Sequence, residues 1–60
     1  MQKELRAYMK ANKLSQYRLA VNLGIDRSLV HYWLRGRNKP NKANMLKLAA
    51  MTGIPMERML

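Results

Sequence analysis

Cysteine is absent from this chain, acids number only three, and no apolar run approaches the roughly 18 residues that cross a bilayer. Without cysteine there are no disulfide staples and no thiolate metal sites, so stability has to come from helix packing. The sequence MQKELRAYMK at the start lacks the apolar stretch of a signal peptide, and a cytoplasmic location is expected. The parts of an enzyme are missing too: there is no paired carboxylate, no Gly-rich phosphate loop and no metal-ligand spacing. His31, the only histidine, has no partners with which to build a ligand set, so solvent or phosphate is its expected contact. No catalysis, cofactor, metal or small-molecule ligand is expected. At 60 residues the chain forms one domain, since so short a polypeptide buries only about 60% of its unfolded surface.

What the chain has instead is positive charge. Twelve Lys or Arg give a formal charge of +9, which draws it to polyanions, nucleic acid first and anionic membrane second. Between Glu4 and Asp26 lie Arg6, Lys10, Lys13 and Arg18, and between Asp26 and Glu57 lie Arg27, Arg35, Arg37, Lys39, Lys42 and Lys47, with no acid in either stretch. A solvated basic face would look the same, so charge alone does not decide the partner.

Turn signals at Leu14-Ser15, Leu23-Gly24, Asp26, Gly36, Pro40-Asn41 and Gly53-Ile54-Pro55 divide the chain into five short helices, making an all-α fold. The first, about residues 2–12, puts Leu5, Tyr8 and Met9 on one stripe. Ser15 is placed to cap a second helix, Gln16 to Leu23, with Leu19, Ala20 and Leu23 inward. Gly24 can end it in the left-handed conformation and Asp26 can cap the next, which leaves a turn so short that the two helices must cross steeply. That is the geometry of a helix-turn-helix, here at about residues 15–35. Laid out at about 100° per residue, the third helix from Arg27 to about Arg35 turns Val30, Trp33 and Leu34 to the core. Ser28, Tyr32 and Arg35 then face the other way, with His31 on the flank and Arg27 in the exposed first turn. Asn41 caps a fourth helix to about Met51 that buries Met45, Leu48, Ala49 and Thr52, and Gly53 closes it. Pro55 suits the first turn of a fifth helix ending at Leu60. Met9 and Met45 fill gaps in the core.

The run KLSQYRLAVNLGIDRSLVHYWLRGRNKPNKANMLKLAAMTGIP resembles the Cro/repressor (XRE-like) helix-turn-helix family of phage and bacterial regulators. The matches are Leu14-Ser15-Gln16, Leu19-Ala20, Leu23-Gly24, Val30, Trp33, Gly36, Pro40, Leu46-Lys47-Leu48-Ala49 and Gly53-Ile54. Departures are Lys42, where many members have an apolar residue, and Pro55, where many have a Ser cap. The resemblance implies a compact five-helix, lambda-repressor-like domain that binds double-stranded DNA with its third helix in the major groove. By position, Ala20, Gly24, Val30 and Trp33 are structural. Arg27, Ser28 and Tyr32 match base-reading positions, Arg27 suiting guanine O6 and N7. Gln16 matches a phosphate-holding position at a helix N-terminus. Tyr17, His31, Arg35, Arg37, Asn38, Lys39 and Asn41 are expected at the DNA backbone or its outer edge.

The function implied is a sequence-specific transcriptional regulator, a Cro-like phage or prophage repressor on a pseudo-palindromic operator, acting in a bacterial cell or phage-infected host. An antitoxin or other small autoregulator is the alternative within this class. Outside it stand an RNA-binding or architectural protein, for which only Tyr17 and Tyr32 are available as exposed aromatics, and a cationic membrane-active helix, which would not need breaks at Gly24, Asp26, Gly36 and Pro40. Only the tail from Ile54 to Leu60 is left for self-association. A weak, DNA-assisted homodimer is expected through Met56, Arg58, Met59 and Leu60.

Overall fold

The computed structural model describes all 60 residues, and they form four α-helices and one 3-10 turn with no strand. The helices are α1 (Gln2–Ala11), α2 (Gln16–Leu23), α3 (Arg27–Leu34) and α4 (Lys42–Thr52), followed by the turn Met56–Arg58. Each of the last three helices starts where its capping side chain stands. Ser15 Oγ accepts the Arg18 amide at 3.0 Å, Asp26 Oδ1 the Ser28 amide at 2.9 Å, and Asn41 Oδ1 the Asn44 amide at 2.9 Å. These bonds satisfy amides that a helix start otherwise leaves bare.

One core joins all the elements: Leu5 and Met9 from α1, Leu19, Ala20 and Leu23 from α2, Val30, Trp33 and Leu34 from α3, Met45 and Leu48 from α4, then Ile54 and Met59. The buried stripes on the first three helices are those the periodicity predicts, while Tyr8 on α1 and Ala49 and Thr52 on α4 are only half-buried. Ala20 lies in the core where α2 packs on α3. A larger residue there would push the two helices apart.

Two cations that the sequence offers only as charge prove to be structural. The Arg6 guanidinium on α1 donates to the Leu34 carbonyl at the end of α3 at 2.9 Å, and the Lys47 ammonium on α4 donates to the Leu23 carbonyl at the end of α2 at 3.3 Å. A cation at the C-terminal end of a helix meets unpaired carbonyls and the negative end of the dipole. The outer helices thus tie down the C-terminal ends of the two motif helices, leaving their N-terminal ends free.

Gly24 ends α2 at φ +70°, and nothing lies within 4 Å of where its Cβ would be. Substitution there costs backbone strain alone. Gly24→Val is expected to lose about 1 to 2 kcal/mol, the penalty for a left-handed L residue, read as a melting temperature lower by about 4 to 16 °C for a domain of this size. An unchanged melting temperature would mean that the turn has another conformation. The one left-handed residue that is not glycine, Lys13 at φ +54°, follows the C-cap of α1.

The predicted fifth helix is a single 3-10 turn. Pro55 is extended, with ψ 143° and no side-chain cap, and a helix must form a costly first turn before it gains anything. Burial of Ile54 and Met59, 8% and 1% exposed, instead draws the segment across the core in one turn.

The tail is held there by an ion pair. Arg58 donates to Glu4 Oε2 at 2.7 Å, and the amino group of Met1 lies 3.2 Å from Oε1. Chiefly through the Arg58 guanidinium, and then through its own amide, the Glu4 carboxyl is held at about 2, below its ordinary 4.5. A carboxylate whose pKa is lowered by folding adds stability above its ordinary pKa and loses it as the pH falls. Between about pH 4.5 and pH 2 the protein is therefore expected to lose a small, salt-screened contribution. In Arg58→Ala the Glu4 carboxyl, followed by carbon-13 NMR, should titrate closer to its ordinary value; an unmoved titration would mean that Arg58 does not hold it.

Candidate DNA interface

The N-terminal ends of α2 and α3 open onto one cleft of about 700 Å³, lined by Ser15, Gln16, Tyr17, Asp26, Arg27, Ser28, His31 and Tyr32. The short turn Gly24 to Asp26 brings them together. Ser15 caps the Arg18 amide, and the amides of Gln16 and Tyr17 find no partner in the chain. Free amides and the positive end of the helix dipole favour an anion there.

On α3 the division of faces is sharp. Val30 is 0% and Trp33 1% exposed, whereas Arg27, Ser28, Tyr32 and Arg35 stand in solvent with His31 half-buried beside them. Both ion pairs in the molecule involve Glu4, so Arg27 is not tied to Asp26. Tyr32 has two neighbours: its ring centroid lies 5.9 Å from that of His31, and the Arg37 guanidinium sits 5.7 Å from it. That is within the range of a cation–π contact. The Arg37 amide also donates to the Tyr32 carbonyl at 3.0 Å.

The other expected residues sort by position. Gln16 and Tyr17 lie at the cleft, half-buried and exposed respectively, while Arg35, Arg37, Asn38 and Lys39 are exposed beyond the end of α3. Asn41 is exposed, with its Oδ1 accepting the cap bond of α4 and its side-chain NH₂ free to donate to another partner. The tail departs from expectation most. Of the four residues expected at a dimer interface, Met59 is a core residue, Arg58 is exposed but paired with Glu4, and Leu60, 73% exposed, and the half-buried Met56 are unpaired surface. Asp26 was expected only as a cap, yet it lines the cleft; the sequence shows its capping position but not which way the cap faces.

An α-helix with its side chains is about 10 to 12 Å across, and the major groove is about 12 Å wide. A helix with one face in the core and the other polar and basic, projecting beside a second helix's free N-terminus, is shaped for that groove. The model of the family described as helix-turn-helix matches residues 5–59. The chain belongs to the XRE-type helix-turn-helix family. It is therefore a DNA-binding transcription regulator, of a family that is typically non-enzymatic. A comparison with curated proteins and one with solved structures each found no match. No helix is long and apolar enough to cross a membrane, and no group of three or more His, Cys, Asp or Glu side chains is placed to hold a metal ion.

Proposed function

We propose that this regulator is a Cro-like repressor of phage or prophage origin that reads a pseudo-palindromic operator through the major groove. The observation that carries the reading is the shared cleft. It sets Arg27, Ser28 and Tyr32, the proposed base contacts, beside the unpaired amides of Gln16 and Tyr17. In this reading an operator phosphate occupies the N-terminus of α2 and α3 lies along the bases. His31, Arg35, Arg37, Asn38, Lys39 and the free NH₂ of Asn41 follow the flanking backbone. A membrane-active peptide would need one long amphipathic helix; the longest helix here has 11 residues.

Three or four side chains on one helix specify too few base pairs to compete with roughly a million or more non-specific sites. Two copies on an inverted repeat solve this, with recognition helices about 34 Å apart. With Met59 buried in the core and Arg58 paired with Glu4 at the surface, the free protein is expected to stay monomeric at micromolar concentration. Pairing then occurs on DNA, where a shared operator raises the effective concentration. Selection from a random duplex pool should yield two inverted half-sites about one helical turn apart, and the full site should bind more tightly than a half-site. No enriched motif would overturn sequence-specific repression. Equal affinity for half and full sites would overturn cooperative pairing, and a tight dimer in sedimentation without DNA would overturn the weak interface.

A further inference from the structure

We infer that Ser28 reads the major groove as a hydrogen-bond acceptor, with Asp26 as the positioning residue that sets this polarity. The group recognised is then an exocyclic amine, N4 of cytosine or N6 of adenine. The inference rests on the reading of α3 as the recognition helix.

A serine hydroxyl has one proton to donate and two lone pairs with which to accept. The Ser28 hydroxyl donates that proton to Asp26 Oδ1 at 2.9 Å, and the same oxygen accepts the Ser28 amide at 2.9 Å. An ionised carboxylate only accepts, so the direction of the pair is not in doubt. Asp26 is ionised at neutral pH: the Ser28 amide, and after it the Ser28 hydroxyl, lower its pKa from the ordinary carboxylate value. Both side chains are exposed and line the cleft beside Arg27. Ser28 therefore presents lone pairs to whatever enters.

This decides between ligands. A phosphate oxygen is an acceptor and would compete for a proton already used, while the Asp26 charge repels it. Guanine offers O6 and N7 and thymine offers O4, all acceptors; only cytosine N4 and adenine N6 present donors in the major groove. Turning the hydroxyl outward to donate would break a bond to an ionised acceptor, stronger than an ordinary one. Neighbouring residues on α3 thus read opposite polarities, with Arg27 donating and Ser28 accepting.

Every base pair carries one such amine, so base preference alone does not test the polarity. The test uses the best duplex from the random pool and the base pair at which Ser28→Ala relaxes preference. At that pair the amine is removed by substituting purine for adenine or 2-pyrimidinone for cytosine, and in a second duplex N7 of the purine is removed by a 7-deaza analogue. Wild type and Ser28→Ala are titrated on both, so that the effect of the analogue on the duplex itself cancels. The expected result is a loss of about three- to tenfold, the size of one hydrogen bond, on the amine-less duplex in wild type beyond that in Ser28→Ala, with no such excess on the 7-deaza duplex. Asp26→Gly, which offers the Ser28 hydroxyl no acceptor and is tolerated as an N-cap, should lose the discrimination while still binding. An excess on the 7-deaza duplex, or none on the amine-less one, overturns the polarity. Undiminished discrimination in Asp26→Gly overturns the role of Asp26. If Ser28→Ala instead weakens all DNA equally and relaxes no base pair, base reading by Ser28 fails, an outcome distinct from a reversed polarity.

Discussion

Trp33→Ala is expected to leave the domain largely unfolded at 37 °C. The indole is the largest fully buried side chain and is 1% exposed, packed in the single core that joins all four helices. Removing a buried Trp or Phe side chain costs about 3 to 5 kcal/mol. A domain of this length has only about 3 to 9 kcal/mol of stability in total, so the substitution takes from about a third to all of it. Far-UV circular dichroism is the measurement, since the variant loses its only tryptophan. In the wild type the same burial predicts that acrylamide quenches Trp33 far less in the folded protein than in urea. A variant that melts within a few degrees of wild type, or equal quenching in the two states, would mean that the indole faces solvent and that the assignment of faces on α3 is inverted.

Arg27→Ala is expected to cost about 1 to 3 kcal/mol on the best DNA site, about 5- to 150-fold in affinity, and to relax preference at one or two base pairs. The guanidinium is exposed, projects from the first turn of α3 and has no ion pair to break, so the folded state should be unaffected. Gln16→Ala supplies the contrast. Gln16 stands at the start of α2 beside unpaired amides, the geometry of a phosphate contact, and its loss should weaken specific and random DNA by the same factor. Fluorescence anisotropy of both variants on specific and scrambled duplexes at one salt concentration separates the two roles, because affinity itself falls steeply with salt. Equal loss on both duplexes for Arg27→Ala would make Arg27 a phosphate contact.

The motif was legible because its signals are local. Ser15, Asp26 and Asn41 are caps and Gly24 is a left-handed stop; together with the inward stripe of Val30, Trp33 and Leu34 they place α2, α3 and the turn between them within a residue of where they lie. Less was legible where partners are distant in sequence. Arg6 and Lys47 read as undifferentiated charge, since their acceptors, the carbonyls of Leu34 and Leu23, are 28 and 24 residues away. Arg58 has its partner 54 residues away at Glu4. Met59 looked like free tail surface because no periodicity survives in a single 3-10 turn, and only the packed core shows that it turns inward. Within the cleft, the residue types were readable from the outward face of α3, but the bond from the Ser28 hydroxyl to Asp26 was not, because it depends on a side-chain torsion.

The most direct test of α3 as the DNA-reading helix is an amide-resolved NMR titration of the protein with its selected duplex. Shifts and line broadening are expected to concentrate at Ser15 to Tyr17, Asp26 to Tyr32 and Arg35 to Lys39, while the exposed faces of α1 and α4, represented by Lys3, Lys10 and Leu46, stay close to their free positions. Perturbation centred on α1 or α4, with the cleft unmoved, would contradict it.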